Sequence, residues 1–263
     1  MTIPLSALDL AIASALVLAL AATAFRMRLG LGGRILVAAL RTTIQLTLVG
    51  LVLKALFATV NPMWMALIAA VMLSTAAYEV RARQRRPFRG AWSIGIGGVS
   101  MFISSFAVTL IALFAVVRPD PWYAPRYVIP LLGMMTGNTM TGIALGLNHL
   151  AENAVKSRGT IEARLTLGAT AADAIADERR DAVRTGLIPM LASMAAAGLV
   201  SLPGMMTGQI LAGNQPGEAV RYQILIMFMI AAGTGFGVIA AVSMGARHLF
   251  DDRARLRLDR LKG

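Results

Sequence analysis

Cysteine is absent from the 263 residues, which excludes disulfides and thiolate metal sites and leaves the redox compartment unspecified. Histidine occurs only at His149 and His248, both near the ends of apolar runs, where an interfacial, solvated imidazole is the expected role rather than a metal ligand. No His-Glu-x-x-His pattern and no Gly-rich phosphate loop ending in Lys and Ser or Thr is present, so the chain offers neither metallohydrolase chemistry nor a nucleotide-hydrolysing loop. Charge is scarce as well: 14% of residues are charged, with 13 acids against 25 Lys and Arg. Few acids and no thiolates leave no recognisable high-affinity metal cage, so metal ligands are unknown at this level.

Apolar residues, in contrast, make up 57% of the chain, and the mean hydropathy of +0.69 exceeds what one soluble core could bury. Apolar runs of about 20 residues match the thickness of bilayer hydrocarbon. They fall at 5–25, 35–58, 63–80, 92–117, 128–150, 186–211 and 222–245, about seven spans in all. None shows strand-like alternation, and a backbone in lipid must satisfy its own hydrogen bonds, so each is expected to be a helix. The fold class is therefore an all-α integral membrane protein, a single transmembrane domain over 1–263. The first run mimics a signal peptide through Ala22-Thr23-Ala24 but has no basic residue before Arg26, and is expected to be retained.

The net charge of +12 would suggest nucleic acid in a soluble protein, but its distribution argues for a membrane instead. Alternate loops at 26–34, 81–89, 156–184 and 247–262 hold 20 of the Lys and Arg residues, whereas the opposite side holds only Arg118, Arg126 and Arg221. That bias predicts a cytoplasmic C-terminus, an outside N-terminus and a bacterial inner-membrane location. Trp122, Tyr123 and three prolines in the 118–127 loop fit an interfacial turn with aromatic anchors. Residues 246–263 form a basic cytoplasmic tail.

One long polar stretch, 151–185, falls on the basic side. Ile161, Leu165, Ala169 and Ala172 recur at helical spacing among Asp173, Glu178 and Arg179, which predicts a short amphipathic helix or helix pair, or else a solvated loop on the lipid surface.

Polar residues inside the spans are the candidates for function. Gly133-Met134-Met135-Thr136-Gly137-Asn138 is echoed by Gly204-Met205-Met206-Thr207-Gly208-Gln209. Glycines four apart allow close helix approach, so the blunt reading is a packing seam filled by methionine. In the functional reading Asn138, Gln209 and the hydroxyls line a polar route, since carboxamides are costly against lipid. The thioethers of Met134, Met135, Met205 and Met206 would suit soft or borderline metals there. Arg41 and Gln45 share one helix face and either line the same route or, for Arg41, snorkel to phosphate, as Lys54 is expected to do.

Four blocks carry a family resemblance. Arg41-Thr-Thr-Ile44-Gln45 through Lys54, the Gly-Met-Met-Thr-Gly-Asn block, Glu162-Ala163-Arg164 through Thr170, and Leu199 through Met206 together resemble the FetB-type iron-export permeases, a family that also includes plant aluminium-tolerance permeases. The resemblance covers nearly the whole chain, in order. It implies an ABC-transporter permease that pairs with a second copy of itself and docks a separately encoded ATPase, which would hold the ATP and Mg; this chain would bind no cofactor of its own. Glu162, Ala163, Arg164, Gly168 and Ala169 look like the EAA-type coupling segment of ABC permeases, with Gly six positions after Glu. The Leu-Pro expected beyond that Gly is replaced near Arg179-Arg180-Asp181, which weakens equivalence to the type I importer core.

The resulting expectation is a permease exporting a metal ion, iron by family resemblance, with no enzymatic chemistry in this chain. A different substrate or direction is one alternative. A stand-alone secondary transporter is another, disfavoured because Asp9 and Glu79 lie at span ends and no acid sits mid-span.

Overall fold

The structure, a computed structural model, describes residues 6–58 and 61–262; Leu5, where the first predicted span begins, lies outside them. The described chain is helical, with only isolated bridges in place of strands. Its helices are α1 (Ala7–Arg26), α2 (Gly32–Ala58), α3 (Pro62–Ala82), α4 (Trp92–Val117), α5 (Pro125–Lys156), α6 (Arg158–Thr166), α7 (Ala171–Ala174), α8 (Ala176–Ala196), α9 (Gly204–Leu211) and α10 (Pro216–His248). They group into two compact units.

The first unit holds α1 and α2, together with residues 211–213. Ser6 and Asp9 exchange reciprocal hydrogen bonds that close the start of α1, the Ser6 N–H donating to Asp9 at 2.7 Å. Ala21 and Ala24 are buried near the turn into α2, and the Phe25 ring lies so close to Gly32 that a Cβ there would stand 2.6 Å from it. Otherwise these helices present apolar surface outward. Their hydroxyls are satisfied within the helix: Thr43 donates to the Ala39 carbonyl at 3.0 Å and Thr47 to that of Thr43 at 2.8 Å. Such back-bonding removes the cost of a hydroxyl in hydrocarbon.

The second unit is built on α5, α8 and α10, which meet through glycine. A Cβ on Gly142 of α5 would stand 2.9 Å from the Gly186 carbonyl of α8, and one on Gly186 would stand 2.8 Å from the Gly142 carbonyl. Gly146 faces the Ala182 carbonyl, so α5 and α8 run antiparallel. Along α10, Gly233 faces Met135, Gly237 faces Thr139, and Val242 faces Gly146, so α5 and α10 run parallel. Backbones this close gain dispersion over a long seam, which is how helices associate where no hydrophobic force drives them together. Two parallel neighbours require the chain between them to return across their length, and α8 supplies the first part of that return.

Among the described residues six helices are long and apolar enough to cross a membrane, and five of the seven expected spans match them closely: 35–58, 63–80, 92–117, 128–150 and 222–245 fall within α2, α3, α4, α5 and α10. The first span matches α1 from Ala7 onward. The sixth, 186–211, is not one helix: α8 ends at Ala196 and α9 begins at Gly204. Gly198 takes a left-handed conformation (φ +86°) that ends α8, its N–H turning to the Ser201 carbonyl at 2.9 Å, and Pro203 then opens the way into α9. α4 is also irregular, with π-helical turns at Phe102–Phe106 and Ala112–Val117.

The polar stretch 151–185 becomes the end of α5, the pair α6 and α7, and the start of α8. Beyond α10 the basic tail folds back on the α3–α4 loop. The Arg260 carbonyl accepts from the Arg89 N–H at 2.7 Å, and Arg260 donates to the His248 carbonyl at 2.7 Å. His248 stacks on Trp92 with ring centroids 4.3 Å apart, which gives it a packing role.

Candidate functional site

The break between α8 and α9 opens a cavity of about 530 Å³. α5 contributes Met134 and Asn138, α8 contributes Ala192, Ser193 and Ala196, α9 contributes Gly204 and Met205, and α10 contributes Gln223, Ile226, Met227 and Ile230. Met134 lies nine residues into α5, or about 13 Å along it, and inside the expected span 128–150. Non-helical backbone at such depth is tolerated only where it lines a cavity or is covered by protein. A second, more apolar cavity of about 400 Å³ adjoins it, with Met194, Met206 and Phe228 in its wall; Pro203, Gln223 and Met227 border both.

The hydrogen bonds at this site leave side-chain oxygens without donors. Asn138 donates its amide N–H to the Met134 carbonyl at 2.8 Å, and the Ser193 hydroxyl donates to the Pro189 carbonyl at 2.9 Å. Gln223 is only 8% exposed, and its Oε1 is buried with no hydrogen-bond partner. Leaving such an oxygen unsatisfied costs about 1–3 kcal/mol.

The expected pathway residues divide. Met134, Asn138 and Met205 line the larger cavity and Met206 the smaller one. Met135 does not join them: it is 1% exposed and packs with Leu113, Leu131 and Ile226, because adjacent helical residues point about 100° apart. Gln209 borders neither cavity, although its Oε1 too is buried without a partner. Arg41 and Gln45 lie exposed on α2, in the other unit. Of the repeated glycines, Gly133 lies against Met72, where a Cβ would stand 3.5 Å from the side chain, whereas a Cβ on Gly137, Gly204 or Gly208 would meet nothing within 4 Å in this chain. Sequence reasoning missed Gln223 and Ser193. The signal was available: Gln223 is a lone carboxamide in the apolar run of 222–245.

At the other end of α5 and α8 stand α6 and α7. Ile161 is fully buried, and Arg164 spans to α8 by donating to Asp177 at 2.7 Å, which holds the Asp177 carboxyl below its usual pKa. Glu162 pairs with Arg158 at 2.8 Å, and Ala163 is exposed beside it. Leu165 is half-buried, whereas Ala169 falls in the turn made by Gly168 (φ +91°) rather than on the helix. Thr170 caps α7 by accepting from the Asp173 N–H at 3.2 Å. Leu167 is left 88% exposed at the tip, an apolar knob on a braced two-helix corner.

A polytopic α-helical bundle with a mostly apolar cavity, edged by a few polar side chains, at a broken helix has the make-up of a membrane permease. Residues 7–250 match the family described as "Uncharacterised protein family (UPF0014)", and the chain belongs to that family. It is 41% identical over 228 residues to a UPF0014 membrane protein of Synechocystis sp., covering 87% of each chain. To the Escherichia coli protein named "Probable iron export permease protein FetB" it is 33% identical over 261 residues, 97% of this chain and 96% of the relative. It is also 34% identical over 226 residues to "Protein ALUMINUM SENSITIVE 3" of Arabidopsis thaliana, covering 84% of this chain and 80% of that one. No solved structure matches. The membership agrees with the resemblance carried by the sequence blocks.

Proposed function

We propose that this chain is the membrane subunit of an ABC exporter that moves a metal ion, iron by its likeness to the E. coli relative, out of the bacterial cytoplasm. Two copies would pair, and a separate ATPase subunit would bind ATP and Mg and supply the energy. The excess of Lys and Arg on one set of loops supports a cytoplasmic C-terminus and an outside N-terminus.

One observation carries this reading: two continuous helices connect the knob to the cavity. α5 runs unbroken from Met134 at the cavity to Lys156 beside α6, 22 residues or about 33 Å, and α8 runs from Ala176 to Ser193. A force on Leu167, transmitted through Ile161 and the Arg164–Asp177 pair, would therefore shift both helices that border the cavity. Hydrolysis in a partner could bias two packings of the bundle in this way. Glu162 and Arg164 act here as braces, with Leu167, Gly168 and Ala169 as the contact.

The test is ATP-dependent movement of metals in vesicles containing this chain and its ATPase. Movement of iron that depends on ATP and is lost in Leu167→Asp supports the reading, whereas transport without the ATPase would replace it with a secondary transporter.

A further inference from the structure

The geometry points to a cation site in the cavity at the break between α8 and α9, where the Gln223 carboxamide oxygen, the Met134 and Met205 thioethers, Asn138 and Ser193 receive a soft or borderline transition-metal ion. This assignment rests on the transport reading and names where the cargo pauses.

The sign of the ligand follows from the hydrogen bonds. Ser193 has given its one proton to the Pro189 carbonyl and Asn138 one of its two amide protons to the Met134 carbonyl, so the hydroxyl and carboxamide oxygens both keep lone pairs for a ligand. Gln223 Oε1 is a buried acceptor with no donor in reach. Such a lining wants a positive charge. Nearby helix ends do not reverse this, because the carbonyl end of α8 and the N–H end of α9 meet at the same break and their partial charges oppose one another. The class of cation follows from the sulfurs: two thioethers among carboxamide and hydroxyl oxygens suit soft or borderline metals and offer little to Mg²⁺.

The strength of the site follows from its neutrality. No cluster of three or more His, Cys, Asp or Glu able to hold a metal occurs among the described residues. A neutral donor set in a cavity much larger than a bare ion leaves part of the ion's water in place, so the ion is bound and released rather than kept. This suits cargo better than a resident cofactor.

Anaerobic titration of the purified chain in lipid nanodiscs with Fe²⁺, with Mg²⁺ as competitor, tests the site. Saturable Fe²⁺ binding that Mg²⁺ fails to displace is expected. Gln223→Leu and Asn138→Leu should each weaken it by about tenfold or more at unchanged melting temperature. Gln223→Glu, which keeps the shape and adds charge, should tighten it. Absence of Fe²⁺ binding, equal displacement by Mg²⁺, or unchanged affinity in all three variants overturns the site. In vesicles with the ATPase, ATP-driven metal transport alongside unchanged binding in the variants would reject this site alone; failure to move any metal would reject the transport function.

Discussion

α2 is more apolar than α5 and yet less buried: no residue of its most apolar stretch is fully buried, against 44% for α5. In water the order would be reversed. Lipid is as good a solvent for leucine as a protein interior is, so apolarity marks contact with the membrane and does not mark contact with protein. What distinguishes α5 is its small and polar residues. Gly142 and Gly146 admit α8 and α10, and Thr136, Thr139 and Asn138 sit where a helix made of Leu and Val would have none.

That contrast breaks if glycine is equally dispensable in both helices. Gly186→Leu places a side chain against the Gly142 carbonyl and Val238, and should cost more than the ~1–3 kcal/mol of ordinary overpacking, seen as loss of folded protein from membranes. Gly50→Leu in α2, where a Cβ meets nothing within 4 Å, should leave yield and melting temperature unchanged. A smaller effect comes from truncation. Ile161→Ala, at a fully buried site under the knob, should destabilise by about 2–5 kcal/mol, whereas Leu46→Ala, 67% exposed on α2, should change stability by less than ~0.5 kcal/mol in thermal unfolding. The smallest effect is electrostatic. Because Arg164 lowers the Asp177 pKa, their pairing contributes fully above the ordinary value of 3.8 and is lost as pH falls below it. Hydrogen exchange in α6 should therefore rise only in that acid range, and Asp177→Asn should remove the pH dependence.

Much of this fold was legible because hydropathy and length dictate a lipid-spanning helix almost regardless of neighbours. The break at 197–203 was hidden by its own composition: Leu199, Val200 and Leu202 are as apolar as any span, and Pro203 alone does not end a membrane helix. Its sign was Gly198, which can adopt the positive φ that stops α8. The repeated Gly-Met-Met-Thr-Gly blocks located the cavity but not which residues face it. Met134 and Met135 cannot both turn the same way on one helix, and only the packing of α4 and α10 decides that Met135 is the one enclosed. Gln223 escaped notice at the edge of its run, although a buried carboxamide is the costlier residue to keep.

The central claim is that the chain between α5 and α10 crosses the membrane once, through a helix broken at 197–203, with the Leu167 knob on one face and the turn after α9 on the other. Since the chain has no cysteine, Leu167→Cys and Asn214→Cys can be labelled singly in intact cells and in inverted vesicles with an impermeant maleimide. Labelling of residue 167 only in inverted vesicles and of residue 214 only in intact cells is the predicted result; both sites reacting from the same side would contradict the account.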